Sequence, residues 1–242
     1  MTPYLFEFIG TALLILLGNG VVANLVLKGT KGDDLGWVGI AIAWGIGVFV
    51  GVYVSAEGSG AHLNPAVTLG LATAGKFEWS EVPFYMISQV LGAMMGTTLV
   101  WLTYKKQYDI TENQEALRAT FCTSPAIRNP FWNFITEMIG TFALVFGVFY
   151  IAGGKIAGEI ISLGSLDALP VALLVVGIGF SLGGATGYAI NPARDLGPRI
   201  MHALLPIKHK GTSDWSYSWI PVIAPLSGGA LAAMAYALVA LV

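Results

Sequence analysis

The chain has 242 residues, 55% of them hydrophobic and only 11% charged, with a net charge of −2 and a mean hydropathy of +0.72. Soluble domains carry roughly 25% charged residues, so this chain cannot clothe a water-facing surface and the lipid bilayer is its expected solvent. The near-neutral balance leaves no basic face for nucleic acid, and a single cysteine, Cys122, excludes an intrachain disulfide and a cysteine-based metal cluster.

Taken in chain order, the first apolar run covers 4–27. It follows no basic leader and is too long for a signal-peptide core, so it reads as a retained span. A second run covers 36–56. The next apolar segment, 64–74, is too short to cross a bilayer, which takes about 20 helical residues, and reads as re-entrant. A third span is expected over 83–104, followed by a polar connection over 105–130 that holds Cys122 as an ordinary loop thiol. Further spans are expected over 131–152, 168–187 and 217–242, with a second short segment, 191–205, before the last. In lipid each segment must satisfy its own backbone hydrogen bonds, so helices are expected. The 31 glycines supply faces on which such helices approach closely.

Both short segments open with the same tripeptide, Asn64-Pro65-Ala66 and Asn191-Pro192-Ala193. Glu7 followed by Gly10-Thr11 in the first span is echoed by Glu137 followed by Gly140-Thr141 in the fourth. The Glu offset is 130 residues (137 − 7) and the Asn offset 127 (191 − 64). Two related halves, 1–104 and 131–242, are thus expected around the connection. Each half has three spans, an odd number, so the second sits inverted relative to the first. The expected fold is all-α: six transmembrane helices and two re-entrant half-helices, in inverted three-helix repeats, with half-helix N-termini meeting near the midplane.

Asn-Pro at a helix start has a local meaning. The Asn oxygen caps first-turn N–H groups, and Pro suits the first helical position. The amide NH₂ is then expected to be free to meet a hydroxyl or water oxygen passing between the two half-helices. The two N-termini, each worth roughly half a positive charge, form a barrier to cations and protons. Arg194 lies third in its half-helix, where the dipole and the apolar setting both disfavour it, so loop carbonyls are expected to compensate. Asp195 and Arg199 read as helix stabilisers. Glu7 and Glu137 read either as a proton relay or as scaffold acceptors for the non-helical approach to each half-helix; their repetition favours the scaffold. His62 reads in the same way, bonded to local backbone.

These features resemble the major intrinsic proteins (the aquaporin family). The resemblance covers the whole chain and rests on Ser-Gly-Ala-His-Leu-Asn-Pro-Ala-Val-Thr over 59–68 and Gly-Tyr-Ala-Ile-Asn-Pro-Ala-Arg-Asp over 187–195. It implies an aquaporin-like fold, a homotetramer, no cofactor or metal, and no catalysis. It also implies a multi-pass protein of the cell membrane, the inner or cytoplasmic membrane of a bacterium. The four positions of the family's outer constriction map onto Trp44, Gly179, Tyr188 and Arg194. Water-specific members carry a histidine where this chain has Gly179 and a small residue where it has Tyr188. The resemblance is therefore to the glycerol-facilitator branch, with Asp195 and Pro221-Val222 in keeping. That implies a passive channel for glycerol and other small uncharged solutes (water, dihydroxyacetone, urea, neutral lactic acid) that excludes protons and ions. Loss of the histidine is expected to widen the constriction. Known glycerol facilitators have Phe where this chain has Tyr188; the extra hydroxyl either narrows the opening, adds a hydrogen-bond partner or has no consequence.

Charge does not support the topology implied. With both termini in the cytoplasm, the outer loops hold Lys28, Lys31, Lys105, Lys106, Arg118, Arg128, Lys208 and Lys210, and the inner loops only Lys76 and Lys155. The positive-inside rule favours the reverse; protease access to a tag within 105–130 decides it. An intramembrane enzyme built on Ser59, His62 and the glutamates lacks metal-ligand or nucleophile-elbow spacing. A proton-coupled transporter would respond to a pH gradient, and a structural protein would carry no flux.

Overall fold

The computed structural model describes residues 2–151, 155–156, 159–160 and 164–239. Among the described residues, five helices are long and apolar enough to cross a membrane: α1 (Pro3–Val26), α2 (Gly36–Ser59), α4 (Val82–Thr103), α7 (Pro130–Ile151) and α10 (Ile220–Val239). Two short helices, α3 (Pro65–Thr73) and α9 (Pro192–Leu204), replace the segments too short to span. The connection holds α5 (Lys105–Ile110) and α6 (Gln114–Ala119). Between α7 and α8 (Leu169–Leu182) lie a two-residue antiparallel pair, Lys155–Ile156 with Glu159–Ile160, and a 3₁₀ turn, Gly164–Ala168. Among the described residues the protein is built almost wholly of helices, five of them able to cross a membrane.

Three expected boundaries change. The fifth span, expected over 168–187, is helical only over Leu169–Leu182, because Gly183 caps it and the chain turns at Gly187, whose φ is +81°. Residues 183–187 are Gly-Gly-Ala-Thr-Gly, small and uncharged, so a charge-based reading ran past the end of the helix. The last span starts at Ile220 rather than 217, and its expected final residues, 240–242, lie outside the described residues, as does Ala152 at the end of the fourth. The connection over 105–130 is not plain loop. Asn113 caps α6 by accepting from the N–H groups of Glu115 and Ala116, and Phe121 and Cys122 are buried against Leu27, Tyr108 and Leu205. Cys122 is therefore a core side chain, 1% exposed.

Small residues set the helix contacts. A methyl at Gly92 or Gly96 would collide with the α1 carbonyls of Phe8 and Ala12, and one at Gly228 with the α7 carbonyl of Met138. So α1 meets α4, and α7 meets α10, backbone to backbone. The half-helices cross over. The first-half helix α3 rests on α10, where Gly229 admits the Ala66 carbonyl, and α9 rests on α4, where Gly197 faces Ala93. The crossing brings Asn64 and Asn191 face to face.

Candidate functional site

Each half-helix is entered by a strained turn. Gly60, Ala61 and Leu63 have φ of +79°, +51° and +52°; Gly187, Tyr188 and Ile190 have +81°, +37° and +43°. The two sets are related by the 127-residue offset of the Asn-Pro-Ala tripeptides. Left-handed backbone at a non-glycine residue costs on the order of 1–3 kcal/mol and persists only where its surroundings hold it.

The glutamates do that. Glu7 accepts from the His62 and Leu63 backbone N–H groups at 2.8 and 2.7 Å, and from Ser59 Oγ and Gln89 Nε2 at 2.7 Å each. Glu137 accepts from the Ala189 and Ile190 N–H groups at 3.0 and 2.9 Å. His62 differs from expectation. Its ring bonds a side chain, Nδ1 lying 3.1 Å from Thr68 Oγ1, and sits between the rings of Phe77 and Tyr85 at 4.6 and 4.9 Å. Thr68 Oγ1 also lies 3.1 Å from the Asn64 carbonyl and accepts from Gln89 Nε2 at 2.9 Å, which ties His62 to the start of the half-helix.

Pro65 and Pro192 take the first helical positions, and Ala66 and Ala193 are fully buried beneath them. Asn64 Oδ1 accepts from Ala66 N at 2.8 Å. Asn191 Oδ1 accepts from Ala193 N and Arg194 N at 3.0 and 3.2 Å. The amides are not wholly free, as the sequence suggested. Asn64 Nδ2 donates to the Ile190 carbonyl and Asn191 Nδ2 to the Leu63 carbonyl, each at 2.8 Å. Each half thus ties the other's turn, and one hydrogen per amide is left.

The residues of the expected outer constriction lie together in two pairs. The Arg194 guanidinium stands 4.2 Å over the Trp44 ring. Its Nη1 donates to the Phe121 carbonyl at 3.5 Å, and Asn19 Nδ2 donates to the same oxygen at 3.3 Å. Tyr188 covers Gly179: a methyl at Gly179 would lie 3.1 Å from Cζ and 3.2 Å from Oη. Trp44 and Tyr188 belong to one apolar cluster with Ile178 and Ile190. The space left by the missing side chain at Gly179 is thus filled in part by the Tyr188 ring.

Asp195 and Arg199 do more than stabilise a helix. They form a buried ion pair at 2.8 Å with both side chains fully enclosed. Asp195 Oδ2 also accepts from Thr123 N and Oγ1 at 2.8 and 2.7 Å, and Arg199 donates to the Thr123, Ser213 and Asp214 carbonyls. The pair pins the connection two residues from the Phe121 carbonyl that Arg194 uses. Sequence reasoning missed Phe121 and Asn19; a backbone acceptor leaves no mark in sequence, but an Asn inside an apolar span was a signal. It also missed Gly18, where a methyl would overlap the Trp44 ring.

The profile of the family described as "Major intrinsic protein" matches residues 1–236. A protein of Thermotoga maritima named "Probable glycerol uptake facilitator protein" is 53% identical over 98% of this chain and 98% of its own. "Glycerol uptake facilitator protein 3" of Lactiplantibacillus plantarum is 52% identical over 95% of this chain and 93% of its own. Among solved structures, the aquaglyceroporin from Plasmodium falciparum superposes with a TM-score of 0.83 at 35% identity, covering 96% of this chain and 93% of that one.

Proposed function

The chain belongs to the major intrinsic protein family, and we propose that it is a passive pore for glycerol and similarly small uncharged solutes, with its narrow point among Trp44, Gly179, Tyr188 and Arg194. The observation that carries this is the juxtaposition at that point. The Trp44 ring, the Tyr188 ring and the open face of Gly179 offer an apolar wall to a carbon backbone. Arg194 offers donors to its hydroxyls. A guanidinium has five N–H donors, and among the described residues one long bond to Phe121 is recorded. The glycerol in the names of the relatives at 53% and 52% identity supports the same solute class for this chain.

Solute passing the midplane meets the remaining hydrogen of each Asn64 and Asn191 amide. The two N-termini, α3 and α9, face each other there, and their aligned dipoles repel cations and the hydronium ion. Glu7 accepts from four donors and Glu137 from two backbone N–H groups, which commits both carboxylates to bracing the turns before the half-helices. That supports a pore over a proton-coupled carrier or an enzyme. The setting we infer is the bacterial cytoplasmic membrane, with four copies assembling and each carrying its own pore.

Stopped-flow light scattering on proteoliposomes in an inward glycerol gradient tests this. Glycerol entry above that of empty vesicles, abolished by Arg194→Ala and Trp44→Ala in folded protein, is expected. Fast water flow with no glycerol entry would overturn the choice of solute.

A further inference from the structure

Trp37 lies outside the four constriction positions, in the first turn of α2. Its indole N–H crosses to α8 and donates to the Gly179 carbonyl at 3.0 Å. Its ring meets the Tyr188 ring edge-on, with centroids 5.8 Å apart at 73°. Both rings converge on Gly183, where a methyl would lie 2.5 Å from Tyr188 Cδ1 and 2.7 Å from Trp37 Cζ2. At its far end Tyr188 is stopped by Gly179, whose own missing methyl would also touch Ala41 Cβ at 3.1 Å.

Tyr188 is therefore clamped at both ends of its ring and along one edge. Two further facts say the clamp is needed. Its backbone sits at φ +37°, which a bulky residue does not hold unaided. Its hydroxyl is buried without a hydrogen-bond partner among the described residues. A buried phenol left unpaired costs roughly 1–3 kcal/mol; a ring free to turn would seek a partner. The enclosure supplied by Trp37, Gly183 and Gly179 keeps it from doing so.

We propose that Trp37 is a positioning residue that holds the Tyr188 ring over Gly179 and so fixes the width of the constriction. Discrimination between three-carbon and larger polyols then depends on a residue that acts through another. The inference rests on reading these residues as the solute-sizing point of a glycerol pore. The simpler role for Trp37, which is 40% exposed, is an anchor at the membrane interface. An anchor affects insertion and yield, not solute ratios.

The test uses proteoliposomes of the wild type, Trp37→Phe, Trp37→Leu, Tyr188→Ala and Trp37→Leu/Tyr188→Ala. Glycerol and erythritol entry are measured per folded protein. The erythritol-to-glycerol ratio is expected to rise about ten-fold in Trp37→Leu, the low end of what a methylene-sized change does in a tight site. It should rise less in Trp37→Phe, which keeps a ring and loses the N–H. In the Tyr188→Ala background Trp37→Leu should add nothing, because Trp37 has no ring left to hold. An unchanged or lower ratio in Trp37→Leu, or an equal shift in both backgrounds, would overturn the proposal. Should Trp37→Leu not fold, Trp37→Phe carries the test: a raised ratio supports the proposal and an unchanged one refutes it. A wild type that passes no glycerol would instead sink the pore reading, and that is visible before any variant is compared.

Discussion

Replacing Asp195 by Asn should destabilise the protein more than its position beside the constriction suggests. Asp195 accepts three hydrogen bonds, from Arg199 Nε at 2.8 Å, Thr123 N at 2.8 Å and Thr123 Oγ1 at 2.7 Å, and forms an ion pair with Arg199 Nη2 at 2.8 Å. The substitution leaves the enclosed Arg199 guanidinium with carbonyls alone and turns an amide NH₂ toward donors. Breaking one side of a fully buried pair costs about 3–5 kcal/mol. At roughly 2–4 °C per kcal/mol for a chain of this size, the apparent unfolding temperature should fall by about 6–20 °C. Thermal unfolding in detergent, followed by tryptophan fluorescence, reads this directly. The double variant Asp195→Asn/Arg199→Met should recover most of the loss, since it removes the stranded charge along with its partner. Glycerol flux in Asp195→Asn, measured well below its unfolding temperature, should fall too, because Thr123 no longer holds the Phe121 carbonyl under Arg194. A drop of less than about 2 °C would refute the reasoning, since it would mean that the pair contributes under about 1 kcal/mol.

Three other outcomes are expected. Gly18→Ala places a methyl within the Trp44 ring; displacing that ring by about 1 Å should cut glycerol entry by up to about 100-fold, with folding, checked by gel filtration, kept. Glu7→Gln turns an NH₂ toward donors that now approach a carboxylate, at about 1.5–3 kcal/mol per charge-assisted bond lost, so yield and glycerol flux should both drop. Wild type and variant alike should show no proton current, and a wild-type proton current removed by the substitution would revive the relay. Burial pushes the Asp214 carboxyl up, but hydrogen bonds from Arg128 and Ser216 and the Arg128 charge outweigh it and hold it below its ordinary 3.8. A depressed carboxyl stabilises above its unfolded value, and that contribution fades as pH falls through the folded value. The acid-side loss of thermal stability below pH 3.8 should therefore be shallower in Asp214→Asn, and an identical acid limb would contradict the assignment.

What could be read before the structure was chemistry that is local. Asn-Pro announces a helix start through its own cap, and a Glu repeated at nearly the same offset as that cap points to a shared supporting task. Bonds that cross the molecule could not be read. The Asn64 and Asn191 amides each serve a carbonyl on the other half, more than 120 residues away. Asp195 reaches Thr123 from 72 residues off, so its role looked confined to its own helix. Trp37 was one aromatic among many near a membrane boundary, and its ring contact with Tyr188 and their shared space at Gly183 appear only in the fold. The charge bias that opposed the topology also has a structural side. Lys210 caps α9 through the carbonyls of His202, Ala203 and Leu205, Lys105 pairs with Asp109, and Arg128 pairs with Asp214. These cations serve the fold, which a count of loop charges does not register.

The central claim is a pore that passes glycerol and holds back protons, and one preparation tests both halves. Glycerol entry and internal pH, reported by a trapped dye, are followed in the same proteoliposomes with and without an imposed pH gradient. Rapid glycerol entry that is indifferent to the gradient, with proton leak no greater than in empty vesicles, is the predicted result. Glycerol entry that tracks the gradient, or a proton leak that appears with the protein, would contradict it.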